Sequence, residues 1–334
     1  MVRAQSTPAE FAEMSLQELF DLSINEQDNK YAAPKWHISY QYKQAEFDGY
    51  LDGDESLSLD QVLWSGPQET RTDKNFPVVP TVIKQRAHSL RVGYQQSDNV
   101  AFYLSVPYIE QETDHISIVP GYSEFLISTQ GMGDTVASVN YKFEDEDIHK
   151  WWINLGISIP TGSIDELGDT PREPGDQPLP YTMQLGSGTW DFPIEFNYQH
   201  RGAHDFDLSF SAMLRSGSND RQYRLGNNYR MSAKYGFAIR DHLVGYVGSE
   251  FQYRDSIRGR DETLLVEGEF PYPASITNPD LYGGRTVRAF AGLSWQVRSG
   301  LRANAEIGKP VYQHLNGPQP KESWRGSIML STAF

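Results

Sequence analysis

Three things are missing from this sequence of 334 residues: cysteine, a long apolar run and an excess of basic residues. Without cysteine the chain has neither a disulfide nor a thiolate that binds a metal or attacks a substrate. No apolar run approaches the roughly 18 residues of a transmembrane helix, which excludes a helical membrane protein. Lysine and arginine total 29 against 44 acidic residues, for a net charge of −15. This balance argues against nucleic acid as a partner, because phosphate binding needs a basic surface.

Aromatic residues, in contrast, are abundant at 13% of the chain, and the closing stretch shows how they are arranged. In residues 323–334, every second residue from Trp324 to Phe334 falls on one mainly apolar face. A repeat of two residues indicates a β-strand. The aromatic last residue still lies on the apolar face, which favours a strand that closes a membrane barrel over an edge strand of a soluble sandwich.

The same alternation recurs along the chain from about residue 35. It predicts twelve strands, an even number as in bacterial outer-membrane barrels. These are 35–43, 89–95, 100–108, 135–143, 153–159, 190–199, 205–215, 229–239, 243–253, 287–298, 301–307 and 324–334. We therefore predict an all-β fold, a transmembrane antiparallel up-and-down β-barrel of about 12 strands.

The connections between these strands alternate in length. Long polar segments follow the odd-numbered strands, at 48–81, 110–132, 161–186, 216–228, 254–285 and 309–322. Short ones follow the even-numbered strands, at 96–99, 144–151, 200–204, 240–241 and 298–300. Long loops on one rim and tight turns on the other are typical of outer-membrane barrels, whose termini lie on the periplasmic, short-turn side. A soluble sandwich has no reason to sort its loops in this way.

Aromatic side chains cluster near the predicted strand ends. The proposed membrane girdles contain Trp36, Tyr108, Trp190, Trp295, Trp324 and Phe334. Such belts mark the two membrane interfaces of a barrel. The predicted location is the bacterial outer membrane, with lipid and lipopolysaccharide as partners and the oligomeric state left open. The long loops are rich in carboxylates, which either bind divalent cations that bridge lipopolysaccharide or form a solvated surface, and they match no dedicated calcium motif. We predict no dedicated metal site and no cofactor.

Residues 1–34 differ from the rest and form a predicted N-terminal periplasmic segment, ahead of a barrel at 35–334. Within it, Leu16, Leu19 and Phe20 recur at helical spacing after Ser15, which with Glu18 forms a capping-box pattern. This predicts a short amphipathic helix. Two roles stay open: a tail folded against the barrel mouth, or a plug that enters the lumen.

The predicted inward faces are richer in basic than in acidic residues. We expect the lumen or solute path to contain Arg91, Lys142, Arg230, Lys234, Arg288, Phe290, Arg302 and Arg325. Two interpretations remain open at this point. The charges pair across a filled lumen and stabilise the barrel, or their excess favours the passage of anions.

Short motifs resemble a known transporter family. They are 131–134 (GMGD), 141–143 (YKF), 156–162 (GISIPTG), 185–191 (LGSGTWD) and 308–313 (GKPVYQ). In this order they are similar to the outer-membrane family named for the MetA pathway of phenol degradation, which is related to long-chain fatty-acid channels. The resemblance covers about 82–334 and implies a channel for hydrophobic or aromatic compounds.

The leading functional hypothesis is passive uptake of small hydrophobic or aromatic compounds, with aromatic carboxylates compatible with both the resemblance and the basic lumen. One alternative is an anion-selective porin for small solutes. Others are a twelve-stranded lipid hydrolase and a non-conducting structural barrel. The histidines lie in no recognisable nucleophile motif. We therefore predict no enzymatic activity and no catalytic residue.

Overall fold

A computed structural model describes residues 35–145, 148–202 and 204–334. The predicted helix and plug residues Leu16, Leu19 and Phe20 lie outside the described residues. The strands are β1 (Trp36–Gly53), β2 (Glu55–Leu57), β3 (Val78–Gln95), β4 (Val100–Ser117), β5 (Glu124–Met132), β6 (Thr135–Asp145), β7 (His149–Ile159), β8 (Leu167–Asp169), β9 (Asp176–Pro178), β10 (Asp191–His200), β11 (Asp205–Arg215), β12 (Tyr223–Arg224), β13 (Asn228–Arg240), β14 (Leu243–Arg254), β15 (Arg258–Gly259), β16 (Gly284–Arg298) and β17 (Leu301–Ala333).

Helical structure in this part of the chain is confined to short turns. One α-helix of four residues, α1 (Leu59–Val62), is joined by 3-10 turns at Tyr181–Met183, Glu262–Leu264, Ser275–Thr277 and Pro279–Leu281. Within the described ranges, every helix is too short or too polar to cross a membrane.

The main sheet closes on itself. It contains thirteen strands. Two of them lie outside the ring: β2 pairs only with β1, and β5 pairs only with β4. The remaining eleven form a ring in the order β1-β3-β4-β6-β7-β10-β11-β13-β14-β16-β17, and β17 pairs again with β1. Every neighbouring pair in the ring is antiparallel. Closure leaves the eleven strands of this ring without an unpaired edge, which a barrel in lipid requires.

The last strand, β17, is 33 residues long and contains two passes through the wall. Its first half, from Leu301 to Leu315, runs antiparallel to β16, and its second half, up to Ala333, runs antiparallel to β1. Successive antiparallel pairings give β1 and β16 opposite directions, so the chain reverses inside β17. The ring therefore has twelve passes, and the predicted barrel of about 12 strands is confirmed.

Apolar side chains face outward and polar ones inward. On β1, Tyr40 is 42% exposed, whereas the adjacent Gln41 is 5% exposed. On β3, Leu90 is half exposed and Arg91 is buried. In water such an exterior would be one continuous apolar patch, but in a bilayer the acyl chains solvate it. The chain is an outer-membrane β-barrel.

The wall is taller on the long-loop side than the sequence predicts. The segments 48–81, 110–132 and 309–322 were expected to be loops. This was wrong for all of 309–322, for most of 110–132 and for the two ends of 48–81. Strand β1 continues to Gly53, β4 continues to Ser117 and returns as β5, and β17 passes through 309–322. In these stretches the outward face becomes largely polar, so the hydrophobic alternation fades although the backbone pairing continues. Glu110 and Glu112, for example, point to the side opposite Gln111.

Above this wall, the long loops fold inward over the lumen. Outer loops 1, 3, 4 and 5 (54–77, 160–190, 216–227 and 255–283) contribute buried apolar residues to clusters at this end. Leu185 of outer loop 3 reaches down to pack against Ile109 and Met213 on the barrel wall. The long-loop end of the lumen is therefore covered by packed loops.

One histidine in the extended wall makes the structure sensitive to acid. His115 on β4 is buried, donates from Nδ1 to the Thr113 carbonyl at 3.0 Å, and stacks on Phe125 with 4.6 Å between ring centroids. Burial lowers the pKa of His115 to about 3, from an ordinary value near 6.5. Because the unfolded chain then binds a proton that the folded chain does not, stability falls as pH drops from about 6.5 towards 3.

We expect this histidine to reduce the free energy of unfolding by about 3 kcal/mol at pH 4 relative to pH 7.5. Urea unfolding in detergent across this pH range measures the effect. The variant His115→Gln should lose this part of the pH dependence, whereas His242→Gln, in an exposed short turn, should keep it. Identical pH profiles for both variants would contradict the prediction.

Candidate functional site

The lumen is organised in three levels. At the long-loop end, outer loops 3, 4 and 5 pack together around Tyr181, Tyr223 and Tyr282. Below them lies a buried cluster of arginines and glutamates. Towards the short-turn end a cavity of about 450 Å³ opens among polar and aromatic side chains. The candidate site is this sequence of cover, charged cluster and vestibule.

The charged cluster centres on Arg288 and Glu322. Arg288 is 2% exposed; its Nε donates to both carboxylate oxygens of Glu322 at 2.8 Å, and its Nη1 donates to Glu250 Oε1 at 2.8 Å. Arg325 also donates to Glu322, from Nε and Nη2 at 2.9 Å each. Arg230 Nη1 lies 3.5 Å from Glu250 Oε2. The three arginines predicted to line the path here are thus held by two glutamates.

Sequence reasoning missed Glu322, because it was placed in a loop. In the structure it lies on β17, 4% exposed and opposite Phe47 of β1. Its inward position follows from the strand register: it is three residues before Arg325, beyond a register shift at Glu46 and Phe47. Glu322 lowers the charge excess that the sequence predicts for the lumen.

The vestibule combines charged groups with two aromatic rings. Lys234 Nζ lies 3.6 Å from Asp207 and 4.9 Å from the centroid of the Tyr246 ring. Arg201 Nη1 contacts the same carboxylate of Asp207 at 2.6 Å. Phe290 lines the cavity beside Tyr246. A solute here meets apolar ring faces as well as fixed charges.

Two glycines allow those rings to lie against the wall. A Cβ on Gly292 would fall 2.4 Å from the Tyr246 ring, and one on Gly248 would fall 2.2 Å from the Phe290 ring. Any side chain at either position would push the rings further into the vestibule. The glycines therefore set the width of the cavity.

The remaining predicted path residues lie at different places. Arg302 lines the vestibule, where Nε lies 3.4 Å from Gln296 Oε1. Lys142 is half-buried near the short-turn end of β6, outside the set of residues that line this cavity. Arg91 lies apart from the vestibule, in a small pocket of its own. The structure thus brings Lys234, Phe290 and Arg302 together in the vestibule. The arginines of the charged cluster, Arg230, Arg288 and Arg325, lie above them.

The predicted girdle residues lie on the outer surface. Trp36, Tyr108, Trp190, Trp295 and Phe334 are each more than a third exposed, and Trp324 is half-buried. Trp36 pairs with Tyr94 and is bonded to Phe334, at the short-turn end. Tyr108 lies opposite His88, about six residues further along the wall, which is roughly 20 Å at the rise of a strand.

Ion pairs and hydrogen bonds fasten the inward loops. Asp134 accepts from the backbone of Gly162 at 2.9 Å and of Ser187 at 2.8 Å, which holds both ends of outer loop 3. Arg221 of outer loop 4 forms a 2.5 Å ion pair with Asp261 of outer loop 5. The Asp261 backbone N–H donates to the Tyr181 hydroxyl at 3.0 Å. These contacts join three loops into one cover.

Burial in this cover raises the pKa of Tyr181 to about 12, so its hydroxyl stays protonated at neutral pH. Among the described residues, no group of three His, Asp or Glu side chains is arranged to hold a metal ion. The cover is therefore held by neutral hydrogen bonds, ion pairs and apolar packing.

A solved structure supports the fold assignment. The COG4313 outer membrane channel from Pseudomonas putida F1 is 13% identical to this chain, with a TM-score of 0.59. The match covers 92% of this chain and 100% of that one. This similarity extends over the whole barrel.

Two further structures are more distant. The toluene transporter TbuX from Ralstonia pickettii is 8% identical with a TM-score of 0.41, covering 91% of this chain and 90% of that one. The TodX deltaS2S3 mutant, a monoaromatic hydrocarbon channel, is 9% identical with a TM-score of 0.44, covering 91% and 92%. Their likeness is too low to add to the fold assignment.

Sequence comparison identifies the family. No curated protein matches the chain. The family model described as putative MetA-pathway of phenol degradation matches residues 79–272, more than half of the chain. The motifs at 131–134, 156–162 and 185–191 lie inside this match, and 308–313 lies beyond it. The chain therefore belongs to the family of the putative MetA-pathway of phenol degradation.

Proposed function

We propose that this barrel is a channel for the uptake of small hydrophobic or aromatic compounds, aromatic carboxylates among them, by passive diffusion across the outer membrane. The observation that carries the proposal is the vestibule of about 450 Å³, lined by Phe290 and Tyr246 together with fixed charges. A lumen that served only to stabilise the wall would be filled by side chains. The family description and the similarity to an outer membrane channel agree with this proposal.

The three levels of the lumen suggest the order of events. A solute is captured at the long-loop rim and passes when outer loops 3, 4 and 5 separate. It then crosses the level of Arg288 and Glu322 and enters the vestibule, where aromatic faces offer favourable contacts. Release follows at the short-turn, periplasmic end. Alternating apolar and charged contacts keep binding weak at each stage, as permeation requires.

Uptake in whole cells tests the proposal. Gram-negative cells depleted of their own porins and producing this barrel should take up radiolabelled benzoate and phenol several-fold faster than cells without it. A disaccharide of greater polarity serves as the control solute and should show little change. Equal rates for cells with and without the barrel would overturn the proposal.

The anion-selective porin is the second candidate, because basic residues do line the vestibule. The pairing of Arg288 and Arg325 with Glu322 weakens the field that such selectivity needs. Bilayer recordings separate the two candidates: a porin predicts a steady conductance with a high chloride-to-potassium permeability ratio. A small conductance that benzoate interrupts favours the aromatic channel.

The lipid hydrolase and the structural barrel have less support. His88, His149 and His204 each form a hydrogen bond with a tyrosine hydroxyl, at 2.7 to 2.9 Å. In a serine hydrolase the catalytic histidine forms this bond with a serine hydroxyl. Hydrolysis of a p-nitrophenyl ester by the purified protein would favour the hydrolase. The absence of both conductance and uptake would favour the structural barrel.

A further inference from the structure

We propose that Arg91 is the centre of a binding site for a small organic monocarboxylate, built into the lumen wall between β3, β4 and β10. This inference rests on the proposed function and names the chemistry of one solute class. It concerns a pocket separate from the vestibule, and binding there is measurable without transport.

Arg91 is a buried guanidinium without a hydrogen-bonding partner among the described residues. Its side chain is 7% exposed, and its buried Nε has no acceptor there. It stacks on Tyr103, with Cζ 3.9 Å from the ring centroid. Stacking engages the face of the guanidinium but leaves its in-plane N–H donors unused. An unpaired buried charge is costly, so these donors need an acceptor.

A space for that acceptor lies beside the guanidinium. A pocket of about 40 Å³ is lined by Arg91 together with Ser105, Ser138, Val136 and Pro193. Two hydroxyls near a guanidinium offer further donors to an anion, and the valine and proline offer apolar contact. The size suits a carboxylate group, with the rest of the molecule extending into the lumen. Arginine binds carboxylates through paired N–H donors.

Glu195 lines the same pocket and restricts the kind of anion. Asn154 donates to Glu195 Oε2 at 2.7 Å, which engages one oxygen of this carboxylate. Its charge nevertheless acts on Arg91 and opposes a second negative charge in the pocket. We therefore expect monocarboxylates to bind and doubly charged sulfate to bind poorly.

Gly93 holds the arrangement in place. A Cβ at this position would fall 2.3 Å from the Tyr103 ring, so glycine is needed for the ring to lie flat below Arg91. The two residues face each other across β3 and β4. The tyrosine in turn fixes the plane of the guanidinium. This glycine and tyrosine give Arg91 one defined orientation.

The test is isothermal titration of benzoate into the full-length barrel in detergent, at constant ionic strength, with sulfate as the comparison anion. Wild-type protein should bind benzoate more tightly than sulfate. Arg91→Met, which keeps an unbranched apolar stem but removes the donors, should weaken benzoate binding at least tenfold. The benzoate affinity of Arg91→Lys should lie between those of wild type and Arg91→Met, since lysine keeps the charge without the paired donors.

Arg240→Met is the matched control, because Arg240 is exposed at a short turn, and it should bind as wild type does. Heat-modifiable migration in SDS gels verifies that each variant is a folded barrel. Unchanged benzoate binding in folded Arg91→Met, or no binding by wild type, would overturn the inference. Uptake of uncharged phenol by cells producing wild type or Arg91→Met tests the proposed channel independently of this site.

Discussion

Replacing Glu322 with glutamine should destabilise the barrel by about 3 to 5 kcal/mol, the effect of removing one partner from a buried ion pair. Glutamine has nearly the same volume, so packing is preserved and only the charge is lost. Arg288 would then keep Glu250 as its carboxylate partner, and Glu250 already contacts Arg230. Urea unfolding in detergent, followed by tryptophan fluorescence, measures the change.

The matched control is Glu262→Gln in outer loop 5. Glu262 pairs with Arg260 at 2.7 Å, but both side chains are at least half exposed. Such an exposed pair contributes little to stability. The double variant Arg288→Met, Glu322→Gln should recover part of the lost stability, because both charges of the pair are removed. Equal stability of Glu322→Gln and Glu262→Gln would show that the cluster is not a stabilising pair network.

The same substitution should alter ion selectivity. With Glu322 neutral, the cluster retains three arginines and one glutamate, so the field at this level becomes more positive. Bilayer recordings should show a shift of the permeability ratio towards anions in Glu322→Gln. In Glu262→Gln the ratio should stay at the wild-type value.

The barrel itself was predictable because its surroundings impose a simple repeat of two residues on the sequence. Lipid on one side and polar lumen on the other force alternation at every second residue, as at Tyr40 and Gln41. All twelve predicted segments lie in or within a residue of the strands of the ring. The family assignment was also available from short motifs, since the glycine-containing corners at 131–134 and 185–191 are local features.

The parts of the fold that the sequence did not predict also have a physical explanation. Above the membrane the outward face of a strand meets water instead of lipid, so the apolar-out pattern disappears, and Glu322 was assigned to a loop for this reason. The apolar residues Tyr181, Met183 and Leu185 of outer loop 3 alternate over too short a stretch to mark them as a cover. The burial of Tyr181 depends on outer loops 4 and 5, that of Met183 on Ile127 of β5, and that of Leu185 on the barrel wall. Only the tertiary fold reveals such contacts.

The site on Arg91 was predictable in part. The inward direction of Arg91 follows from the alternation on β3, but its lack of an acceptor does not. The pairing of Gly93 with Tyr103 depends on the register between β3 and β4, which the sequence alone leaves undefined. Sequence reasoning identified the lumen arginines as a class, whereas the structure separates the paired Arg288 from Arg91.

The cover should open when Arg221 is replaced by methionine. Arg221 joins three loops: it pairs with Asp261, donates to the Ile164 carbonyl at 2.9 Å and donates to Thr263 Oγ1 at 2.7 Å. Its loss removes the ion-pair partner of Asp261, a carboxylate that is 4% exposed at its side chain. If the closed cover becomes about 3 kcal/mol less stable relative to the open one, the ratio of closed to open molecules falls by about a hundredfold.

Single-channel conductance and phenol uptake should therefore both increase in Arg221→Met. Arg258→Met changes an exposed residue of outer loop 5 and should leave both unchanged.

A disulfide should have the opposite effect and hold the cover closed. The chain has no cysteine of its own, so an introduced pair can only react with itself. Arg224 and Arg258 are directly paired on β12 and β15, within reach of a disulfide after Arg224→Cys and Arg258→Cys. The oxidised pair should reduce uptake, and dithiothreitol should restore it. If neither opening nor locking changes uptake, outer loops 4 and 5 do not separate during passage, and the solute reaches the vestibule by another route through the wall.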